Sequence, residues 1–125
     1  MKWRDRFLGL AAHVATWSKD PSTRVGAVIA DGRQRVVSVG FNGPPRGTDD
    51  STVSDRARKL LRTLHAEENA ILFAQRDLAG CTIYVTHPPC AHCAALIVQA
   101  GIGRVVHAVA AQAFEGGGAV MRPPW

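Results

Sequence analysis

Three cysteines, an odd number, are too few to staple a chain of 125 residues with disulfides. The fold must therefore rest on a core, and the thiols are free for other chemistry. Long apolar runs are also missing, since no stretch reaches the roughly 18 to 20 residues that span a bilayer. The start, Met1-Lys2-Trp3-Arg4-Asp5-Arg6, lacks the apolar core of a signal peptide. A cytoplasmic protein with no membrane partner is the expectation. Aromatic residues make up only 6% of the chain, which speaks against a base-stacking groove for a polynucleotide. Acidic residues are outnumbered ten to fifteen, giving a formal charge of +5. That excess admits an anionic ligand but does not choose between a nucleotide and a nucleic acid. No internal repeat is visible.

The hydrophobic content of 46% suits a single domain over residues 1–125 with a substantial core. Phe7, Leu8, Leu10, Ala11, Val14, Ala15 and Trp17 are spaced for one face of a helix from about 3 to 18. Ser18 to Thr23 then breaks the periodicity. Residues 25–30 and 35–41 read as two strands joined at Asp31-Gly32 in an antiparallel hairpin. The stretch 42–50 is a loop, interrupted by Gly43, Pro44, Pro45 and Gly47. Helices are expected over 54–64 and from about 66 to 77, the second with Ala70, Ile71, Phe73 and Ala74 turned to the core. Arg56, Arg58, Lys59 and Arg62 read as a solvated face of the first. A strand over 81–86, a helix over 90–100 closed by Gly101 and a strand over 104–109 follow. The last two strands, joined through one helix, should run parallel. Residues 110–125, with Gly116-Gly117-Gly118, read as an atypical, irregular tail. The whole is an α/β fold, a sheet with helices packed on it in a three-layer or two-layer arrangement.

The chemistry concentrates in His65-Ala66-Glu67 and Pro89-Cys90-Ala91-His92-Cys93. One imidazole and two thiolates, His65, Cys90 and Cys93, form a three-ligand zinc set that leaves a fourth position for water. Cys90 and Cys93 are one helical turn apart. His65 and Glu67, two apart, would diverge within a helix, so they converge only on a centre lying off a helix end. The metal therefore belongs between the first turns of the helices starting near Ala66 and Cys90, facing their positive dipole ends. Zinc would bring the pKa of a bound water toward neutrality. Glu67, not a ligand, would take the water's proton and hand it to a ring nitrogen beside an amino-bearing carbon, the chemistry of hydrolytic base deamination. A structural zinc knuckle or a redox pair is the competing reading, but no remaining Cys or His is well placed as a fourth ligand. His92 should point away from the cysteines, and His87 reads as a neighbour of the ligands. Cys81 reads as a buried small apolar residue, and Glu68 as solvent-facing or in a surface ion pair.

Ser18-Lys19-Asp20-Pro21-Ser22-Thr23-Arg24-Val25-Gly26-Ala27, Gly40-Phe41-Asn42-Gly43-Pro44-Pro45-Arg46-Gly47, His65-Ala66-Glu67-Glu68-Asn69-Ala70-Ile71 and Tyr84-Val85-Thr86-His87-Pro88-Pro89-Cys90-Ala91-His92-Cys93-Ala94 together resemble the deoxycytidylate (dCMP) deaminases of the cytidine deaminase superfamily. The resemblance runs from about residue 3 to about 109. It implies a three-layer α/β/α domain, a mixed sheet of about five strands with helices on both faces, one zinc ion per chain, dCMP as substrate and dUMP as product. It further implies that Asn42 contacts the sugar, that Lys19, Ser22, Arg24 and Arg46 lie toward the phosphate, and that Ala66 joins the substrate site. Asn69 would reach the ligand or brace a loop. Residues 50–65 lack the extra His and Cys that some relatives use for a second zinc, and the tail after Val109 does not resemble the family's final strand and helix. The family's habit of assembling implies a homo-oligomer, a dimer or hexamer, and its members respond to dCTP and dTTP.

Three other functions compete. One is deamination of another cytosine nucleotide or nucleoside, such as dCTP, a 5-modified dCMP or deoxycytidine. Another is deamination of a polynucleotide base such as tRNA adenosine. The third is a zinc-stabilised nucleotide-binding module without catalysis.

Overall fold

The structure, a computed structural model, describes residues 2–47, 63–108 and, as backbone, 118–121. In chain order the elements are α1 (Trp3–Ala15), β1 (Gly26–Ala30), β2 (Val36–Phe41), α2 (Ala66–Ala74), β3 (Thr82–Val85), α3 (Ala91–Gln99), β4 (Arg104–Ala108) and β5 (Gly118–Met121). The strands join in the order β2-β1-β3-β4-β5. Strand β1 is antiparallel to both β2 and β3, β3 and β4 run parallel, and β5 closes the edge antiparallel to β4. The parallel pair is the one whose connection is a helix, as a β-α-β crossover requires.

Strand alternation sorts the core into two layers. Ala27, Ile29, Ile83, Val85 and Val105 pack with Ala66, Ala70 and Ile97 of α2 and α3. Val28, Ala30, Tyr84 and Val106 point the other way, onto Phe7, Leu8 and Ala11 of α1. Every residue of β1 is buried, as expected of a strand covered on both faces. The three-layer α/β/α expectation therefore holds, with one helix on one face and two on the other. Among the described residues no helix is long and apolar enough to cross a membrane.

Several expected boundaries shift for physical reasons. Helix α1 stops at Ala15, leaving Trp17 outside it and 48% exposed against Phe41, ring centroids 6.2 Å apart. The hairpin forms, but Asp31-Gly32 is not the centre of its turn. Gln34 takes the left-handed conformation (φ 63°), and the Asp31 carboxylate accepts from the backbone N–H groups of Arg33 and Arg35 at 2.9 and 3.0 Å. The result is a three-residue loop next to a strand irregularity at Ile29/Ala30.

Helix α2 ends at Ala74, with Gln75 left-handed at its cap, short of the expected end near residue 77. Phe73, expected in the core, is 53% exposed, because α2 lies too close to the sheet to seat a large ring there. A Cβ at Gly40 would run into the Ala66 carbonyl oxygen and the Ala70 nitrogen. Only alanine against glycine permits that approach. The expected helix over 54–64 falls outside the described residues except at its end, where Leu64 instead forms an antiparallel bridge with Gly43. The tail expected to be irregular supplies β5, while 109–117 and 122–125 lie outside the described residues.

Candidate metal centre and its cavity

His65 and Cys90 occupy equivalent places: each is the residue just before a helix, with extended backbone (φ −79°, ψ 158° and φ −71°, ψ 170°). That conformation turns both side chains off the helix ends and solves the geometric problem of the His-x-Glu spacing. The N–H of His65 donates to Glu68 Oε1 at 2.9 Å, half of a capping box that fixes the start of α2. At the other start, Cys93 N–H donates to Cys90 Sγ at 3.4 Å. One residue upstream of His65, Leu64 and Gly43 exchange backbone hydrogen bonds at 2.8 and 3.1 Å, tying the ligand to the end of β2. Asn69 adds to the same tie, its Nδ2 donating to the Phe41 carbonyl at 2.8 Å, so of its two expected roles the bracing one is seen.

The donors converge. His65 Nδ1 lies 3.2 Å from Cys93 Sγ and 3.6 Å from Cys90 Sγ, and the three ligand atoms all fall within 4.8 Å of one another. Ordinary zinc–nitrogen and zinc–sulfur bond lengths at a tetrahedral angle separate N and S by about 3.6 Å. The donor set therefore fits one zinc ion, with Cys93 buried and His65 and Cys90 exposed. Burial pushes the Cys93 thiol well above its ordinary range, and the Glu67 carboxylate adds to the effect. A coordinated cation reverses that preference by holding the sulfur as thiolate. His92 turns away, as expected, its Nε2 3.5 Å from Glu68 Oε2. Cys81 is buried and outside the ligand group.

Glu67, in the first turn of α2, is 4% exposed. Burial raises its carboxyl above the usual range; its own backbone N–H and His65 pull the other way. It opens onto a cavity of about 380 Å³ together with His65, Ala66, Cys90, His87 and Pro88. The opposite contribution comes from the segment between α1 and β1, through Asp20, Ser22 and Thr23, and from Asn42. A larger hollow of about 670 Å³ lies alongside, sharing Asp20, Asn42 and Thr63. It is lined by Trp17, Phe41, Leu72 and Phe73 and by no metal-ligating residue, so size does not locate the chemistry here.

The residues expected around the substrate divide between these spaces. Ala66, Ser22 and Asn42 line the metal-side cavity; Lys19 and Arg46 line the neighbouring hollow. Arg24 is exposed and lines neither. Asn42, 8% exposed, is heavily engaged with protein. Its Oδ1 accepts from Val25 N–H at 2.8 Å, and its Nδ2 donates to the Thr23 carbonyl at 2.8 Å and to Asp20 Oδ2 at 3.5 Å. What remains is one lone pair on Oδ1. The Asp20 carboxylate in turn accepts from the N–H groups of Ser22 and Thr23 at 2.8 and 3.0 Å. Sequence reasoning passed over Asp20, Thr23, Thr63 and Pro88. Asp-Pro-Ser-Thr carries a local signal for the first two, since Asp favours bonding the backbone two and three residues on. Thr63 has no such signal.

Residues 1–109 match the family described as the cytidine and deoxycytidylate deaminase zinc-binding region. The chain is 62% identical over 105 residues to an uncharacterized deaminase in the luxG 3′ region of Aliivibrio fischeri, covering 83% of this chain and 71% of that protein. It is 40% identical over 114 residues to the human deoxycytidylate deaminase, covering 85% of this chain but 64% of the human one, so it spans less than two thirds of that relative. Among solved structures, the apo dCMP deaminase of cyanophage S-TIM5 superposes with a TM-score of 0.73 at 25% identity, covering 86% of this chain and 85% of the phage chain.

Proposed function

The chain belongs to the cytidine and deoxycytidylate deaminase zinc-binding family, and we propose that it hydrolyses dCMP to dUMP and ammonia with one zinc ion per chain. The observation that carries this reading is the convergence of His65 Nδ1 on both cysteine sulfurs beside a cavity that the buried Glu67 also lines. That the relatives include deoxycytidylate deaminases supports dCMP as the substrate of this chain. A cavity of about 380 Å³ lies within the range that takes a small ligand.

His65, Cys90 and Cys93 would hold the metal. Zinc, when bound, supplies Lewis-acid chemistry that makes water a nucleophile near neutral pH. Glu67 does the proton work: its carboxylate takes one proton from the attacking water and gives it to N3 of the cytosine ring. It then carries the second proton from the oxygen added at C4 to the amino group, so that the C4–N bond breaks, ammonia leaves and C4 becomes a carbonyl. A carboxyl raised by burial is suited to both accepting and returning that proton. Ala66 and Asn42 shape the wall on which base and sugar rest, with Ser22 beside them, while Lys19 and Arg46 in the neighbouring hollow and Arg24 on the surface draw the anionic substrate in without lining the cavity. The proposal extends to a single catalytic domain over 1–125, cytoplasmic and homo-oligomeric as a dimer or hexamer. The exposed apolar group of Trp17, Phe41, Leu72 and Phe73 supports association.

Ammonia release on dCMP, deoxycytidine, dCTP and a tRNA anticodon stem-loop tests the assignment. The expected order puts dCMP first. Equal rates on deoxycytidine would remove the nucleotide from the proposal, and turnover confined to the stem-loop would replace it with polynucleotide deamination.

A further inference from the structure

We propose that His87 is the side chain that anchors the anionic 5′ phosphate of the nucleotide, an assignment that rests on the nucleotide-deaminase reading above. Two carboxylates line the catalytic cavity, Asp20 and Glu67, and both repel a phosphate. The nitrogen-bearing side chains among its described lining residues are three: Asn42, His65 and His87. Asn42 spends both Nδ2 protons on Thr23 and Asp20, and His65 belongs to the metal group. The basic residues expected at the phosphate do not line this cavity: Lys19 and Arg46 line the neighbouring hollow and Arg24 lines neither.

His87 is held for the task. Its Nδ1 lies 2.8 Å from the Thr86 hydroxyl oxygen, which accepts the Gly26 N–H at 3.2 Å. The ring is thus braced through Thr86 to the start of β1, which leaves Nε2 as the nitrogen for a ligand. Pro88 and Pro89 follow directly and stiffen the connection to Cys90, so a group bound at His87 is kept in fixed relation to the metal-side donors. An N–H aimed at a phosphate oxygen forms a charge-assisted hydrogen bond, the stronger class of such contacts.

The test uses product and its phosphate-free counterpart, so that it does not depend on turnover. Titration calorimetry of dUMP and of deoxyuridine is run on zinc-loaded wild type, His87→Ala and His87→Gln, with zinc content measured in each. The alanine variant should bind dUMP about 10- to 100-fold more weakly, with deoxyuridine affinity held within about twofold. The glutamine variant, which keeps an N–H donor, should recover part of the loss. Unchanged dUMP affinity, or equal weakening of both ligands at full zinc content, overturns the assignment. Should wild type bind dUMP and deoxyuridine equally well, the nucleotide reading itself falls, which is a separate outcome.

Discussion

Two polar regions face each other across the same cavity and obey different logic. At the metal side, the starts of α2 and α3 present His65, Cys90 and Cys93 as converging donors with few protein partners beyond one another. At the facing corner, Ser18, Asp20 and Asn42 are bonded mainly to backbone. Ser18 Oγ donates to the Asn42 carbonyl at 2.8 Å, and Asn42 and Asp20 answer the N–H groups of Val25, Ser22 and Thr23. One side is built to hold something else; the other is built largely to hold itself. Polar residues at a cavity are therefore not equivalent, and their existing partners tell which are available.

Glu67 gives the largest expected contrast. Glu67→Ala should lower turnover by about 100- to 10,000-fold while elemental analysis still finds zinc; unchanged turnover removes Glu67 from the proton path. The glycine at the junction comes next. Gly40→Ala forces a Cβ into the Ala66 carbonyl and Ala70 nitrogen, backbone atoms that cannot turn aside. A stability loss of about 1–3 kcal/mol is expected, with weaker zinc retention because α2 carries His65. Gly26→Ala meets Ala11 and Ala15 backbone on the α1 side instead. It should destabilise without changing the metal site, and equal effects on zinc would break the distinction between the faces.

These contrasts also mark what the sequence makes legible. The ligand set needs only spacing: a His just before one helix, a Cys-x-x-Cys at the start of another, and a Glu two residues from the His. Such local relations survive without a structure. Strand alternation in Ala27–Ala30 and the helix between two parallel strands are local in the same sense. Phe73 was misplaced because periodicity names a helix face but not its distance from the sheet, which Gly40 sets for α2, and Trp17 because α1 stops before reaching it. Asn42 reads as a sugar contact only through the family resemblance of its segment, Gly40 to Gly47. Its bonds to Thr23 and Val25, 19 and 17 residues away, have no signature in spacing. Strand β5 was missed because its partner β4 lies across a glycine-rich stretch that carries no periodic pattern.

Smaller effects sharpen the corner. Asn42→Ala leaves the Val25 N–H and Thr23 carbonyl without partners, and should cost about 1–3 kcal/mol in denaturant unfolding. Normal stability with weakened nucleotide binding would make Asn42 chiefly a ligand contact. The slightest effect is expected far from the cavity, at Asp31. Backbone N–H groups of Arg35 and Arg33 and the Arg35 guanidinium, 2.7 Å away, hold its carboxyl below the usual range. A carboxyl depressed in the folded state stabilises the fold above its unfolded pKa, near 4 in model peptides (~3.9), and loses that contribution as pH falls through the folded value. Asp31→Asn should therefore lower Tm slightly at pH 7, with the gap to wild type narrowing as pH falls well below 4. A gap that persists there would assign the effect to the turn's hydrogen bonds rather than to the charge.

The central claim is that His65, Cys90 and Cys93 hold a single zinc ion that the chemistry depends on. Zinc stoichiometry by elemental analysis, combined with anomalous diffraction at the zinc edge on the active protein, tests it directly. One ion per chain, with its peak among His65 Nδ1 and the two sulfurs and absent from Cys93→Ser, is the result this account predicts. Active protein with no anomalous peak between those three side chains would contradict it.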